Sequence, residues 1–119
     1  MLPQFMKLVE EAKKEIKEID VQELRRTLPK GGFTLIDVRE PQEVMRGKIE
    51  GAVPIPRGVL ELQIDQVTSN FDEPIVLYCG GGNRSALAAQ SLKRMGFTNV
   101  SSLIGGWKAW AETGGSSGG

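Results

Sequence analysis

The stretch that most constrains this fold is Pro74–Met95 (PIVLYCGGGNRSALAAQSLKRM). Pro74–Cys79 is a short, almost unbroken apolar run, the pattern of a strand buried on both faces. Three glycines turn the chain, and Arg84–Met95 follows as an Ala- and Leu-rich helix that stops at Gly96. A buried strand running directly into a helix needs a sheet of parallel neighbours with both faces covered.

The same alternation runs through the rest of the chain. Phe33–Val38 (FTLIDV) reads as a second buried strand. A short helix follows at Pro41–Arg46, with proline at its first position and Gly47 at its end. Ala52–Ile55 is expected as a brief strand and Val59–Val67 as a helix. Asn99–Ile104 forms a last strand, Gly105-Gly106 a turn and Trp107–Glu112 a final helix. Upstream, Asp20 and Glu23 have capping-box spacing, and Ile19 with Leu24 has that of a hydrophobic staple. Together they open a helix at Val21–Leu28, stopped by Pro29 and Gly31-Gly32. The expected class is α/β, a small parallel sheet flanked by helices on both faces.

The two ends read differently. In residues 1–18, Phe5, Leu8, Val9, Ala12 and Ile16 recur mostly at three- and four-residue steps between lysines and glutamates, which predicts an amphipathic helix with Pro3 in its first turn. Such a stripe docks on its own domain or on a partner. The charges interleaved there leave no apolar core for a signal peptide or membrane span, so a cytoplasmic location is expected. The segment 114–119 (GGSSGG) has nothing to bury and is expected to be a disordered tail.

Composition then narrows the chemistry. Fifteen Lys and Arg balance fifteen Asp and Glu, so no basic field points to nucleic acid or an anionic membrane. With no histidine and one cysteine, the usual zinc sites, Ser-His-Asp triads and Cys-His dyads cannot be built within the chain. No metal and no cofactor is expected. One cysteine makes no internal disulfide, which fits a reducing compartment.

One place remains for chemistry, the loop Tyr78-Cys79-Gly80-Gly81-Gly82-Asn83-Arg84-Ser85. Open parallel sheets bind ligands beyond the carboxyl ends of their strands, where Cys79 falls. Gly80, Gly81 and Gly82 let the backbone turn tightly, and their N–H groups, with those of Asn83 and Arg84, can converge on an anion. A thiolate in such a nest, beside Arg84 and a helix N-terminus, is stabilised without a histidine base. Ser85 can donate to it or cap the helix, and Arg84 offers a fork to a substrate oxyanion. The loop has no P-loop lysine, and Ser85 stands where a dinucleotide fingerprint needs its third glycine. An inert cysteine ending a core strand is the alternative, and the Gly-Gly-Gly-Asn-Arg-Ser that follows argues against it.

Four motifs in order make the sequence recognisable: Ile36-Asp37-Val38-Arg39-Glu40-Pro41, Gly47-Lys48-Ile49-Glu50-Gly51-Ala52, the Cys79 loop, and Gly105-Gly106-Trp107. Together they resemble the single-domain rhodanese family of sulfurtransferases, from about Ile19 to Glu112. The resemblance implies a five-stranded sheet, with a first strand near Lys17–Ile19 that the pattern alone does not predict. The chain then divides into an N-terminal helix (1–18), a rhodanese-like domain (19–113) and a tail (114–119).

The resemblance also implies that Cys79 takes a sulfane sulfur from a donor such as thiosulfate and passes it to a thiol, cyanide or a protein acceptor. Rhodaneses of this type hold six residues from cysteine to arginine, as Cys79–Arg84 does. Related phosphatases and arsenate reductases use one more. Lys48 stands where the family usually has histidine, a commonly structural position.

Other residues have narrower expectations. Asp37 and Arg39 are read as a buried ion pair holding the Pro41 turn. Arg57, after a strand end, is a candidate for the pocket mouth. Tyr78 and Trp110 are expected in the core, and Trp107 in the core or as a wall of the site. Two rival functions remain: a persulfide carrier or interaction module with little turnover, and an arsenate reductase or phosphatase of the same fold.

Overall fold

Side-chain alternation along one strand sets out the two halves of the core. In the computed structural model, which describes residues 1–114 and the backbone of Ser117–Gly118, Ile75–Tyr78 (β5) is the middle strand of five. The expected disordered tail at 114–119 falls largely outside the described residues.

The elements run α1 (Pro3–Glu15), β1 (Lys17–Ile19), α2 (Val21–Thr27), β2 (Thr34–Asp37), α3 (Pro41–Val44), β3 (Lys48–Ile49) and β4 (Val53–Pro54). They continue with α4 (Leu60–Gln63), β5, α5 (Asn83–Arg94), β6 (Val100–Leu103), α6 (Gly106–Glu112) and β7 (Ser117–Gly118). The main sheet has the order β1-β6-β5-β2-β4, and every pairing in it is parallel, with Ile36 opposite Leu77 and Ile75 opposite Val100. β3 and β7 form a separate antiparallel pair.

Ile75, Leu77 and Cys79 face one way, packing with Ile36, Val38, Leu60, Ile64, Ala88, Ala89 and Leu92 under α4 and α5. Val76 and Tyr78 face the other way, with Val21, Leu24, Ile49 and Trp110 under α2 and α6. Cys79 therefore lies on the α5 side because strand residues alternate. α1 forms an outer layer, burying Val9 and Ala12 against Ala86 of α5. The small alanine face lets the helices approach closely, and burying a valine fully contributes about 1.5–3 kcal/mol. The amphipathic stripe thus docks on its own domain. Among the described residues, no helix is long and apolar enough to cross a membrane.

The predicted helices and strands are present, with shorter bounds in places. The helix expected over Val59–Val67 is one α-helical turn, α4, between 3-10 segments at Arg57–Val59 and Ile64–Gln66. β-Branched Val59, Ile64 and Val67 lower the helix propensity of this stretch, and 3-10 turns are common at the ends of a short helix. α3 ends at Val44, and the strand expected over Ala52–Ile55 is two residues long. β1, implied only by the resemblance, pairs with β6 at Lys17–Ile19. β3 was not expected, and Lys48 lies in it, half-buried.

Behind the site, Asp37 and Arg39 are a buried pair at 2.7 Å. Arg39 also donates to the carbonyl of Gly47 at 2.7 Å, tying the end of β2 to the turn after α3. Its guanidinium lies over the Trp107 ring, 4.9 Å from the centroid. Ile49 N–H donates to the Tyr78 hydroxyl at 3.0 Å. Burial, and then the Asp37 carboxylate, push the Tyr78 phenol well above its usual range, so it stays protonated.

Candidate active site

Cys79 follows the last residue of β5, and α5 begins four residues later at Asn83. Gly82 makes the join with φ +103°, a left-handed conformation that favours glycine. The turn folds the chain back over its own cysteine. Gly82 N–H donates to Cys79 Sγ at 3.1 Å and Ser85 N–H at 3.3 Å. Ser85 Oγ lies 3.5 Å from Sγ. In the thiol form the sulfur is the donor of that contact, and in the thiolate form the hydroxyl is. Cys79 is buried and free of any disulfide. Two amides and a hydroxyl converge on this sulfur, a donor set of the kind that offers hydrogen bonds to an anion.

The loop is fixed from below by α6. Trp107 N–H donates to the carbonyl of Cys79 at 2.7 Å, and Lys108 N–H to that of Gly80 at 3.0 Å. This contact needs the Gly105-Gly106 pair. A Cβ on Gly106, where φ is +57°, would fall 2.3 Å from the Cys79 carbonyl oxygen. The pair read from sequence as a turn is also where two backbones touch.

The sequence-predicted loop residues come together, but not all for the same purpose. Gly82 and Ser85 bond the sulfur. Asn83 turns its amide toward the thioethers of Met1 and Met6, at 3.9 and 4.0 Å, so the start of α1 borders the loop. The fork expected of Arg84 for a donor oxyanion is closed on Glu43, with Nη1 to Oε1 at 2.8 Å and Nη2 to Oε2 at 3.0 Å. Arg84 holds the Glu43 carboxyl down at about 2, and Glu43 raises the Arg84 guanidinium in return. Arg57 pairs with Glu61 at 2.8 Å, one helical turn along, and not with the loop. Trp107 walls a pocket beside the loop, with Gly80, Gln42 and Arg46. Among the described residues no group of three His, Cys, Asp or Glu side chains is placed to hold a metal ion.

Two neighbours of the loop escape a reading of the sequence. Ser102, on β6, places its hydroxyl 2.7 Å from that of Ser85. The available signal is a pair of serines inside a strand that is otherwise buried and apolar. Glu43 shows itself only as the partner of Glu40 in a capping box, because its meeting with Arg84 spans 41 residues.

The profile of the rhodanese-like domain family matches residues 20–113. The chain belongs to the rhodanese-like family. A curated relative, thiosulfate sulfurtransferase 16 of Arabidopsis thaliana chloroplasts, is 36% identical over 93 residues, 70% of this chain and 78% of that protein. The uncharacterized protein YqhL of Bacillus subtilis is 43% identical over 76 residues. That match covers 64% of this chain and only 59% of the Bacillus protein's length.

Among solved structures, a Rhodopseudomonas palustris protein described as a possible tyrosine phosphatase superposes with TM-score 0.87 at 32% identity, covering 96% of this chain and 93% of that one. The polysulfide-sulfur transferase homodimer of Wolinella succinogenes gives 0.82 at 30% identity, covering 96% and 86%. This rhodanese-like chain therefore shares its domain, including the layer made by α1, with proteins described by two different chemistries.

Proposed function

We propose that the protein is a sulfurtransferase in which Cys79 is the nucleophile. The observation that carries this reading is the set of donors around one sulfur: Gly82 N–H at 3.1 Å, Ser85 N–H at 3.3 Å and Ser85 Oγ at 3.5 Å, in a chain without histidine. The thiolate attacks the terminal sulfur of a sulfane donor. With thiosulfate, the new sulfur–sulfur bond forms as the old one breaks, and sulfite leaves with the electron pair of the broken bond. The charge moves to the outer sulfur of a Cys79 persulfide, within the nest of loop amides. A thiol, cyanide or a protein acceptor then removes that sulfur and restores the thiolate.

In this reading residues 19–113 carry the chemistry, with residues 1–18 as an appended helix, and Gly80–Ser85 cradle the substrate. The reducing cytoplasm suits a lone free thiol. Arg57 contributes only by leaving Glu61 for the pocket mouth.

A phosphatase reading is favoured by the description of the Rhodopseudomonas structure, and the site counts against it. Phosphomonoester hydrolysis needs an acid for the leaving alkoxide and a cation for the phosphoryl oxygens. The loop holds no carboxyl group, Glu43 is ionised at neutral pH, and Arg84 is bound to it. The carrier reading keeps the persulfide but gives turnover to a partner.

Intact-mass measurement after incubation with thiosulfate or inorganic polysulfide tests the proposal. The expected result is one added sulfur atom on the wild type, removed by cyanide, and none on Cys79→Ser. A wild type that gains no sulfur from either donor, yet hydrolyses an aryl phosphate, overturns it.

A further inference from the structure

Glu43 occupies the Arg84 guanidinium beside the Cys79 loop. Its two carboxylate oxygens accept from both terminal nitrogens of Arg84, a planar bidentate pair. Glu43 is itself held, since Oε1 also accepts from the Glu40 N–H at 3.0 Å. A Cβ built on Gly80 would lie 3.1 Å from Arg84 Nη2 and 3.7 Å from Glu43 Oε2. The pair therefore rests across the residue next to the nucleophile. Glu43 and Gly80 border a pocket of about 280 Å³ whose walls include Gln42, Arg46 and Trp107. The buried cation of that wall, Arg39, is matched by Asp37, Arg46 at its edge is exposed to solvent, and Glu40 adds a further negative field at Arg84.

We propose that Glu43 is a specificity-determining residue that withholds Arg84 from small oxyanions, so that the site takes sulfur from an organic hydropersulfide in preference to thiosulfate. This rests on the reading of Cys79 as a sulfur acceptor. Thiosulfate carries two charges, and its sulfonate oxygens can take the two-nitrogen fork of Arg84 that Glu43 occupies only by breaking a bidentate pair. Doing so leaves the freed carboxylate facing a dianion, a like-charge contact that discriminates against such a donor. A hydropersulfide needs no oxyanion site. Cys79 thiolate attacks the outer sulfur of R–S–S–H, and the bond between the two donor sulfurs breaks. R–S⁻ then leaves with the electron pair and takes up the proton of the new persulfide. No oxidant or reductant is consumed, and the loop amides carry the only charge on the protein-bound sulfur.

Two measurements on Glu43→Gln test the inference, because glutamine keeps an oxygen for the Glu40 N–H while losing the charge. The first is the ratio of kcat/KM for thiosulfate to that for mercaptoethanol hydropersulfide, whose tail is uncharged. It rises about tenfold in the variant, through a lower KM for thiosulfate. The second is the affinity of sulfate for Cys79→Ser with and without Glu43→Gln, read by calorimetry, which strengthens by a similar factor. Glu43→Ala, which removes the acceptor altogether, shows both effects at least as strongly. An unchanged ratio and unchanged sulfate affinity in both variants overturn the proposal. If Cys79 takes sulfur from neither donor, the sulfurtransferase reading itself fails, and the sulfate titration still decides whether Glu43 guards Arg84.

Discussion

Ser102 holds its hydroxyl 2.7 Å from that of Ser85, which lies 3.5 Å from Cys79 Sγ. The chain of atoms joins β6 to the sulfur through the first turn of α5. Once Cys79 is a thiolate, Ser85 donates to sulfur, and Ser102 donates to the oxygen of Ser85 in turn, each bond polarising the next. A hydrogen bond to a charged group contributes about 1.5–3 kcal/mol. Ser85→Ala is therefore expected to slow alkylation of Cys79 by iodoacetamide at pH 7 about tenfold or more. Ser102→Ala slows it less, because the direct bond survives. Equal rates in wild type and both variants rule out the relay.

Gly106 sets how closely α6 approaches the loop, and substitution there has a built-in control. Alanine at Gly106 meets the Cys79 carbonyl oxygen at 2.3 Å on top of a left-handed φ of +57°. Alanine at Gly51 takes on a similar strain at φ +88° but meets nothing within 4 Å. The dihedral strain alone costs roughly 1–2 kcal/mol. Gly51→Ala is expected to lose about that much stability and to retain sulfur uptake by Cys79. Gly106→Ala loses more, and the folded fraction takes up sulfur more slowly because the nest is displaced. Denaturation midpoints with intact-mass time courses check both. A Gly106→Ala protein as stable and as fast as Gly51→Ala contradicts the fit.

These two positions also mark what the sequence makes legible. The strand Pro74–Cys79, the glycine turn and the helix after it are written in local patterns, and so is the cysteine at their junction. The N-cap at Asp20, whose side chain accepts from Glu23 N–H at 2.8 Å, is equally local. Ser102 and Glu43 are not, because each acquires its role by meeting a residue 17 or 41 positions away. β1 fails for a related reason. Its three residues read as the end of an amphipathic helix, and only pairing with β6 makes them a strand. Arg84 shows the opposite limit: its identity and position are plain from the loop, but its engagement with Glu43 appears only when α3 is folded beside it.

Glu43 also gives the protein a defined acid response. Arg84 holds its carboxyl at about 2, below the ordinary 4.5. Between those values the unfolded chain binds a proton that the folded one does not. The ion pair's stabilisation is thus complete above about pH 4.5 and is lost as pH falls through about 2. The Glu43 side chain is 35% exposed, so solvent and salt reduce the effect. The stability advantage of wild type over Glu43→Gln should be constant from pH 7 to 5 and shrink steadily toward pH 2. Urea midpoints measured across that range at low salt check it. A difference that stays level down to pH 2 excludes the pair as its source.

The Asp37–Arg39 pair is where loss of one partner is most damaging to the fold. Both side chains are almost fully buried, at 0% and 3% exposure. Asp37 also accepts from the backbone N–H of Arg39 at 3.0 Å, and Arg39 reaches on to Gly47 and stacks over Trp107. Removing the carboxylate leaves a guanidinium in the interior with only the carbonyls of Gly47 and Glu43 and the rings of Trp107 and Tyr78 around it. Breaking such a pair costs about 3–5 kcal/mol. Asp37→Ala is expected to lose that much stability, and Asp37→Asn somewhat less because it keeps an oxygen acceptor. Replacing both partners, as in Asp37→Leu with Arg39→Met, should recover part of the loss, since no buried charge remains unmatched. Guanidinium unfolding of the three variants settles the matter. If the double variant is less stable than Asp37→Ala, the unmatched charge is not the origin of the loss, and the contacts of Arg39 with Gly47 and Trp107 hold the turn by themselves.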